Sequence, residues 1–278
     1  MIDQLRQTCR RLLDEKRVDV VIGYGEGPVG GAAIPVFIRQ AADADRLIWN
    51  NRCLANLTTY LKRPEVRALG RAAIVVKGCD ARALVVLEKE SQLAREQLYV
   101  IGMACDGMGD PTAAKCAACD AHVPAGCDEA IGQAAESAPD ARYAELAAFM
   151  KRPPAERMAF WQNELSRCVK CYACRQVCPL CYCERCIVDK NRPTVIDTAS
   201  TLKGNFAWAI TRAFHLAGRC VGCDECTRAC PAGIDLRLLN LSLARAAEES
   251  FDYRAGVDPA AEPIIGAYAR QDEENFIR

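Results

Sequence analysis

The sequence predicts a chain of two unlike halves. The N-terminal half is an α/β domain on a mixed or parallel sheet with a βαβ unit. The C-terminal half is an α-helical domain built around a doubled cysteine run. Three observations predict this. Two aliphatic runs, "AAIVVKG" and "LYVIGMA", enclose a helical stretch in the first half. A cysteine-rich stretch, "CVKCYACRQVCPLCYCERC", opens at Cys168, and its first part recurs as "CVGCDECTRACP" from Cys220. The segments around both runs carry apolar residues at helical spacing.

Length and composition narrow the chemistry. The 278 residues are 51% hydrophobic, enough for two ordinary domains. The start, "MIDQLRQTCRRLLDEKRVD", is charged throughout and has no apolar signal-peptide stretch. No run approaches the roughly 20 apolar residues of a membrane span. A reducing cytoplasm is therefore expected, where eighteen cysteines read as metal ligands and not as a disulfide framework. Lys+Arg and Asp+Glu balance at 36 each, which gives no reason to propose nucleic acid or a membrane surface as partner.

Along the first half, residues 2–16 read as a helix with Leu5, Cys9, Leu12 and Leu13 inward. "VDVVIGY" reads as a strand. "GEGPVG" matches G-x-G-x-x-G, but "AAIPVFI" follows in place of a helix, so the spacing predicts a glycine-rich turn between strands and not a dinucleotide site. "RLIWN" is expected as a short strand and "CLANLTTYL" as a helix. Then "AAIVVKG", "DARALVVLEKES" and "LYVIGMA" form a βαβ crossover with parallel strands. Cys79 follows its first strand and Cys105 its second, at the carboxyl edge where open α/β sheets put their sites. "KCAAC" adds Cys116 and Cys119. The four thiols can converge there. Equally, Cys79 and Cys105 can be small buried apolar residues while Cys116 and Cys119 help bind zinc; spacing does not choose.

The second half is more specific. "PPAERMAFWQNELSR" predicts a helix with Met158, Trp161 and Leu165 on one stripe. Cys168, Cys171, Cys174 and Cys178, followed by Pro179, satisfy C-x2-C-x2-C-x3-C-P. Cys220, Cys223, Cys226 and Cys230, followed by Pro231, satisfy it again. This is the bacterial ferredoxin pattern, in which three cysteines of a run hold one cluster and the fourth holds the other. The expected ligands of one [4Fe-4S] cluster are Cys168, Cys171, Cys174 and Cys230. Those of the second are Cys220, Cys223, Cys226 and Cys178. Zinc knuckles need four ligands and no following proline, so they are the weaker reading. Between the runs, "NFAWAITRAFHLAG" predicts a helix capped by Asn205, stopped at Gly218 and buried through Phe206, Ile210, Ala213 and Ala217. "DLRLLNLSLARAAEE" predicts another. Helices around both runs indicate an α-helical dicluster ferredoxin domain. The expected division is an α/β domain at 1–135, a linker at 136–154, the helical domain at 155–256 and a tail at 257–278.

Five segments, "VVKGCDARALVVLEKE", "LYVIGMACDGM", "KCAACDAHVP", "SRCVKCYACRQVCPLCYCERC" and "FHLAGRCVGCDECTRACP", together resemble the beta-subunit family of methanogen hydrogenases and formate dehydrogenases that use a deazaflavin coenzyme. The formate dehydrogenase beta subunit looks closest. The resemblance covers most of residues 70–235. It implies that Cys79, Cys105, Cys116 and Cys119 hold a third four-iron cluster. Flavin-binding members carry a glycine pair in a helix-opening segment near the N-terminus and a longer insert before the ferredoxin motifs. This chain has neither, so a shortened relative without bound flavin is expected.

Cys181, Cys183 and Cys186 match a "CYC" element of that family and are expected to pack or to serve another metal role. Cys9, Cys53 and Cys127 belong to no motif and are expected as buried small residues. His215, five residues before Cys220, is either a core residue or a donor to a cluster sulfur. Arg167 and Lys170 flank the first cysteine run as solvated charge. There is no Ser–His pair, and the chain has two histidines. The expected function is an iron–sulfur electron-transfer subunit of a cytoplasmic multi-subunit redox complex, not catalytic alone. It would relay single electrons between a dehydrogenase- or hydrogenase-type catalytic subunit and a heterodisulfide-reductase-like acceptor. The alternative is a flavin-containing oxidoreductase subunit acting on a deazaflavin or nicotinamide. The tail, with Ile264, Ile265, Tyr268 and Phe276, either docks on a partner or folds back on the α/β domain.

Overall fold

A mixed five-stranded sheet organises the first half of the protein. The structure, a computed structural model, describes residues 1–28, 30–134, 141–190 and 192–264. The strands are β1 (Val20–Glu26), β2 (Ala33–Ile38), β3 (Ala72–Val76), β4 (Leu98–Met103) and β5 (Glu129–Ile131), in spatial order β2-β1-β3-β4-β5. β2 runs antiparallel to β1, and the other neighbours are parallel. Every residue of β3 and β4 is buried, as a parallel strand covered on both faces requires. Pro35 lies on β2, an edge strand, where its missing N–H costs no ladder bond to a further strand. The glycine-rich stretch is the hairpin turn between β1 and β2, as its sequence predicts.

The helices are α1 (Ile2–Asp14), α2 (Pro64–Arg67), α3 (Gly78–Lys89), α4 (Ala114–Ala117), α5 (Ala144–Met150), α6 (Pro154–Ser166), α7 (Ala173–Gln176), α8 (Leu202–His215), α9 (Glu225–Arg228) and α10 (Leu236–Phe251). α1 buries Leu5, Cys9 and Leu12 against the sheet. α3 is apolar on two faces because it is covered on two sides. Ala81 and Leu84 join the sheet core, while Ala83, Val86 and Leu87 join Cys178, Leu180, Leu216 and Val221 of the helical half. Fully burying a side chain such as Leu87 contributes about 1.5–3 kcal/mol, so α3 ties the two halves together.

Two expectations in the first half need correction, and one strand is added. "RLIWN" is not a strand. A 3-10 turn over Ala41–Arg46 precedes it, and Arg6 of α1 donates to the Asp45 and Leu47 carbonyls, so a side chain holds this backbone where a ladder would. "CLANLTTYL" contains only a short 3-10 turn over Leu57–Tyr60, capped by Asn56, whose side chain accepts from the Thr58 amide. The short edge strand β5 was not anticipated.

In the helical half α8 differs from expectation. It starts earlier, capped by Thr201, whose hydroxyl accepts from the Gly204 amide. Asn205 therefore sits inside the helix. It is buried and donates from Nδ2 to the carbonyls of Leu165 and Cys168. The buried face runs through Asn205, Trp208, Ala209, Arg212 and Ala213, while Ile210 is exposed. Polar Asn205 and Arg212 face inward because they have partners there. Met158 of α6 is exposed, and Leu165 carries that helix's burial. The stretch expected as a linker contains α5, whose Leu146 and Phe149 pack with Leu238 and Leu241 of α10.

The described start of the tail folds back. Lys89 Nζ donates to the Asp258 carbonyl (2.6 Å), and Ala261 and Ile264 pack beside α3 and Leu216. Ile265, Tyr268 and Phe276 lie outside the described residues. Among the described residues no helix is long and apolar enough to cross a membrane.

Candidate metal centres

The two cysteine runs fold into the same turn. In the first, Lys170 and Tyr172, on either side of Cys171, have φ of 56° and 58°. In the second, Gly222 and Asp224, on either side of Cys223, have φ of 72° and 64°. Left-handed residues flanking the second cysteine coil the backbone around the sulfurs, a geometry that turns amide N–H groups inward. Each turn leads into a one-turn helix, α7 or α9, and these two helices pack on each other.

That packing exchanges the last cysteine of each run. One cavity is lined by Cys168, Cys171, Cys174 and Cys230 together with Trp208 and Pro231. A second is lined by Cys178, Cys220, Cys223 and Cys226 together with Arg212 and Asn240. Asn240 donates from Nδ2 to Cys226 Sγ at 3.5 Å.

A third cavity lies at the carboxyl edge of the sheet and is lined by Cys79, Cys116 and Cys119. Cys79 is in the first turn of α3 and Cys116 in α4. Cys105, just beyond β4, does not line the cavity, but its thiol feels Cys119 and Cys116 and is felt by Cys79. Gly78 lets this edge close up. A Cβ there would stand 2.0 Å from the Ala121 carbonyl oxygen, so only glycine admits the loop after Cys119.

Burial sets the protonation of these thiols. It pushes Cys79 and Cys226 up to about 12. It also raises Cys105, Cys119, Cys174, Cys220 and Cys223. Cys178 is lowered because the Cys181 thiol donates to it, and Cys181 is raised in turn. Thiols held neutral by burial are not exposed nucleophiles; they become thiolates when a cation arrives. Among the described residues no three His, Cys, Asp or Glu side chains are gathered closely enough to hold a single metal ion. Four cysteines around an open cavity suit a larger group.

Two buried cations support the same chemistry. Lys115 is buried, and its Nζ finds only carbonyls, those of Cys223 (2.9 Å) and Leu54 (3.3 Å). Arg212 is buried and donates to the Cys174 carbonyl at 3.1 Å, with Nε unpartnered. Among the described residues neither meets a carboxylate. A buried charge without a counter-ion is costly, and an anionic group bound between the cysteines would supply one. Sequence reading missed Arg212, Lys115 and Asn240, and took Asn205 for a cap where it is a buried donor. The signal for Arg212 was a charge four residues after Trp208 on an otherwise apolar face; for Lys115 it was adjacency to Cys116.

The remaining candidates lie elsewhere. Cys9 and Cys53 are in the sheet core, and Cys127 packs beside it. Cys181 packs near Leu180, Cys183 is exposed, and Cys186 lies with Val188, Ile196 and Trp208. His215 is exposed in the last turn of α8. Arg167 pairs with Glu164, and Lys170 donates to the Asp197 carbonyl.

Comparison with known proteins agrees with this geometry. Residues 167–235 match the 4Fe-4S dicluster domain. The F420-dependent formate dehydrogenase subunit beta of Methanocaldococcus jannaschii is 30% identical over 106 residues, covering 38% of this chain but only 27% of that protein. The F420-dependent formate dehydrogenase 1 subunit beta of Methanococcus maripaludis is 22% identical over 357 positions, covering 92% of this chain and 90% of that protein. That alignment is longer than the 278 residues here, so the relative has segments without counterpart in this chain. With its doubled motif, its mixed sheet and a similarity that runs through both halves, the chain is a homologue of F420-dependent formate dehydrogenase beta subunits and carries a 4Fe-4S dicluster domain.

Proposed function

We propose that this chain is a relay subunit of a multi-subunit cytoplasmic redox complex, with three four-iron sites in a row. Iron–sulfur clusters supply single-electron transfer. The observation that carries the reading is the adjacency of the three cysteine-lined cavities. Val221, Gly222 and Arg237 line both the sheet-edge cavity and the Cys178/Cys220/Cys223/Cys226 cavity. Arg212 lines the latter and donates to the carbonyl of Cys174, which lines the Cys168/Cys171/Cys174/Cys230 cavity. Cys79, Cys105, Cys116 and Cys119 would hold the inner cluster. Cys220, Cys223, Cys226 and Cys178 would hold the middle one, and Cys168, Cys171, Cys174 and Cys230 the outer one. Lys115, between Cys79 and Cys223, supports an anionic group in the sheet-edge cavity.

The outer end of the row is at the surface. Cys171 is exposed, and Val169, which lines the same cavity, is 63% exposed. That rim suits docking of a redox partner. The names of the relatives support a formate dehydrogenase-type catalytic subunit as one neighbour, and a heterodisulfide-reductase-like subunit would accept at the other end. No tightly bound flavin is part of this reading. Without a substrate site the chain alone should take electrons from dithionite and show no turnover with formate, hydrogen or a nicotinamide.

The test is metal analysis of anaerobically purified protein, which should give about twelve irons per chain and no released flavin. About eight irons would remove the sheet-edge cluster. Stoichiometric FAD or FMN would promote a flavin-dependent oxidoreductase subunit instead. Cys178→Ser should damage the cluster of Cys220, Cys223 and Cys226; an EPR change confined to the other dicluster site would overturn the crossed ligand sets.

A further inference from the structure

Arg212 stands out among the buried charges of the helical half. It projects from the middle of α8, is 4% exposed, and lines the cavity of Cys178, Cys220, Cys223 and Cys226. From there its Nη2 donates to the carbonyl of Cys174, a cysteine of the neighbouring cavity. No carboxylate neutralises it among the described residues. Glu225, which lines the same cavity, is taken by Arg228 at 2.6 Å. Its Nε has no hydrogen-bond partner. Arg212 thus stands in the wall of one cysteine-lined cavity and is bonded to the backbone of a cysteine of the next.

From this geometry we infer that Arg212 is the shared counter-ion of the two dicluster sites and sets both of their reduction potentials. The inference rests on the crossed ligand sets proposed above. A four-iron site with four thiolates is a net anion, and reduction adds one negative charge. A fixed guanidinium beside it stabilises the reduced form more than the oxidised form, and so raises the potential. Because Arg212 lines one cavity and holds the backbone of a cysteine of the other, it raises both together. Lysine would keep the charge but lose the planar fork that donates to the Cys174 carbonyl. A neutral side chain of similar length would lose both.

The test is an EPR-monitored redox titration of the full chain, with iron content measured in parallel. Arg212→Met should retain its iron while both dicluster potentials fall at least tenfold in reduction equilibrium, about 59 mV for a one-electron step. Arg212→Lys should keep both within that margin of the unsubstituted protein. Unshifted potentials at full iron overturn the inference, as does a shift confined to one cluster. Equal shifts in both variants also overturn it, because charge is then not the cause. Should Arg212→Met lose its iron, Arg212→Lys decides: full iron with near-native potentials upholds the counter-ion role, and iron loss there too overturns it. Failure of the ligand sets shows separately, as an EPR change in Cys178→Ser limited to the cluster of Cys168, Cys171 and Cys174.

Discussion

The sheet half and the helical half bury their interiors in different ways. In the sheet half one continuous core of Val, Ile, Leu and Ala runs from α1 through β1, β3 and β4. In the helical half the apolar groups are small and separate, and cysteines belong to most of them. Cys178 and Cys223 sit with Leu180 and Leu216; Cys226 sits with Leu165, Ala209 and Leu239. The first half has enough aliphatic area to pack unaided. The second is built around cavities, and its short helices α7 and α9 have four residues each, too few to be stable without neighbours. The comparison teaches that one half closes around an aliphatic core and the other around cysteine-lined cavities.

Iron removal should break the symmetry most sharply. Anaerobic chelation should strip hydrogen-exchange protection from residues 168–235 while leaving β1, β3 and β4 protected. The expected loss is about 10 kcal/mol, the scale of structural zinc sites. Uniform loss across both halves, or none, would contradict the division.

A core truncation on the other side should act conversely. Ile74 is fully buried at the centre of β3. Ile74→Ala should destabilise the protein by about 2–5 kcal/mol in chemical denaturation, with iron content and visible spectrum unchanged. Loss of the dicluster EPR signals under native conditions would show that the sheet also shapes those sites.

Asn205→Ala removes two donations, to the Leu165 and Cys168 carbonyls. It should cost about 1–3 kcal/mol by leaving buried carbonyls unpaired, and its EPR effect should be confined to the cluster of Cys168. An equal effect on both clusters would show that α8 couples them more tightly than its contacts indicate.

The smallest effect belongs to a helix end. Thr201→Ala deletes the α8 cap and should lower stability by about 1 kcal/mol, read as a shifted denaturation midpoint with no change in either potential. A potential shift would mean that the start of α8 positions Arg212 from a distance.

The sequence made the sheet and both cysteine turns readable for one reason: their signals are local. A buried parallel strand writes itself as a continuous aliphatic run, as "AAIVV" does at β3. A cluster turn writes itself as cysteine spacing with a proline behind it. "RLIWN" misled because its apolar residues are buried by α1 and β1 without a ladder. The buried face of α8 was misjudged because apolar periodicity discounts Asn205 and Arg212, polar residues that turn inward only because their partners lie more than thirty residues away in sequence.

By itself, then, the sequence determined the two-part fold class, the βαβ unit, the doubled ferredoxin motif and the likeness to formate dehydrogenase beta subunits. Each of these depends on neighbours within a few residues or on a pattern repeated along the chain. Only the tertiary structure decided which face of α8 is buried, that α7 packs on α9, and that Lys115 and Arg212 stand buried among cysteines. It also decided that the chain beyond α10 returns to α3 through Lys89 and Asp258. Burial and charge pairing depend on groups far apart in the chain, and no local pattern encodes which distant carbonyl or thiol a buried cation will meet.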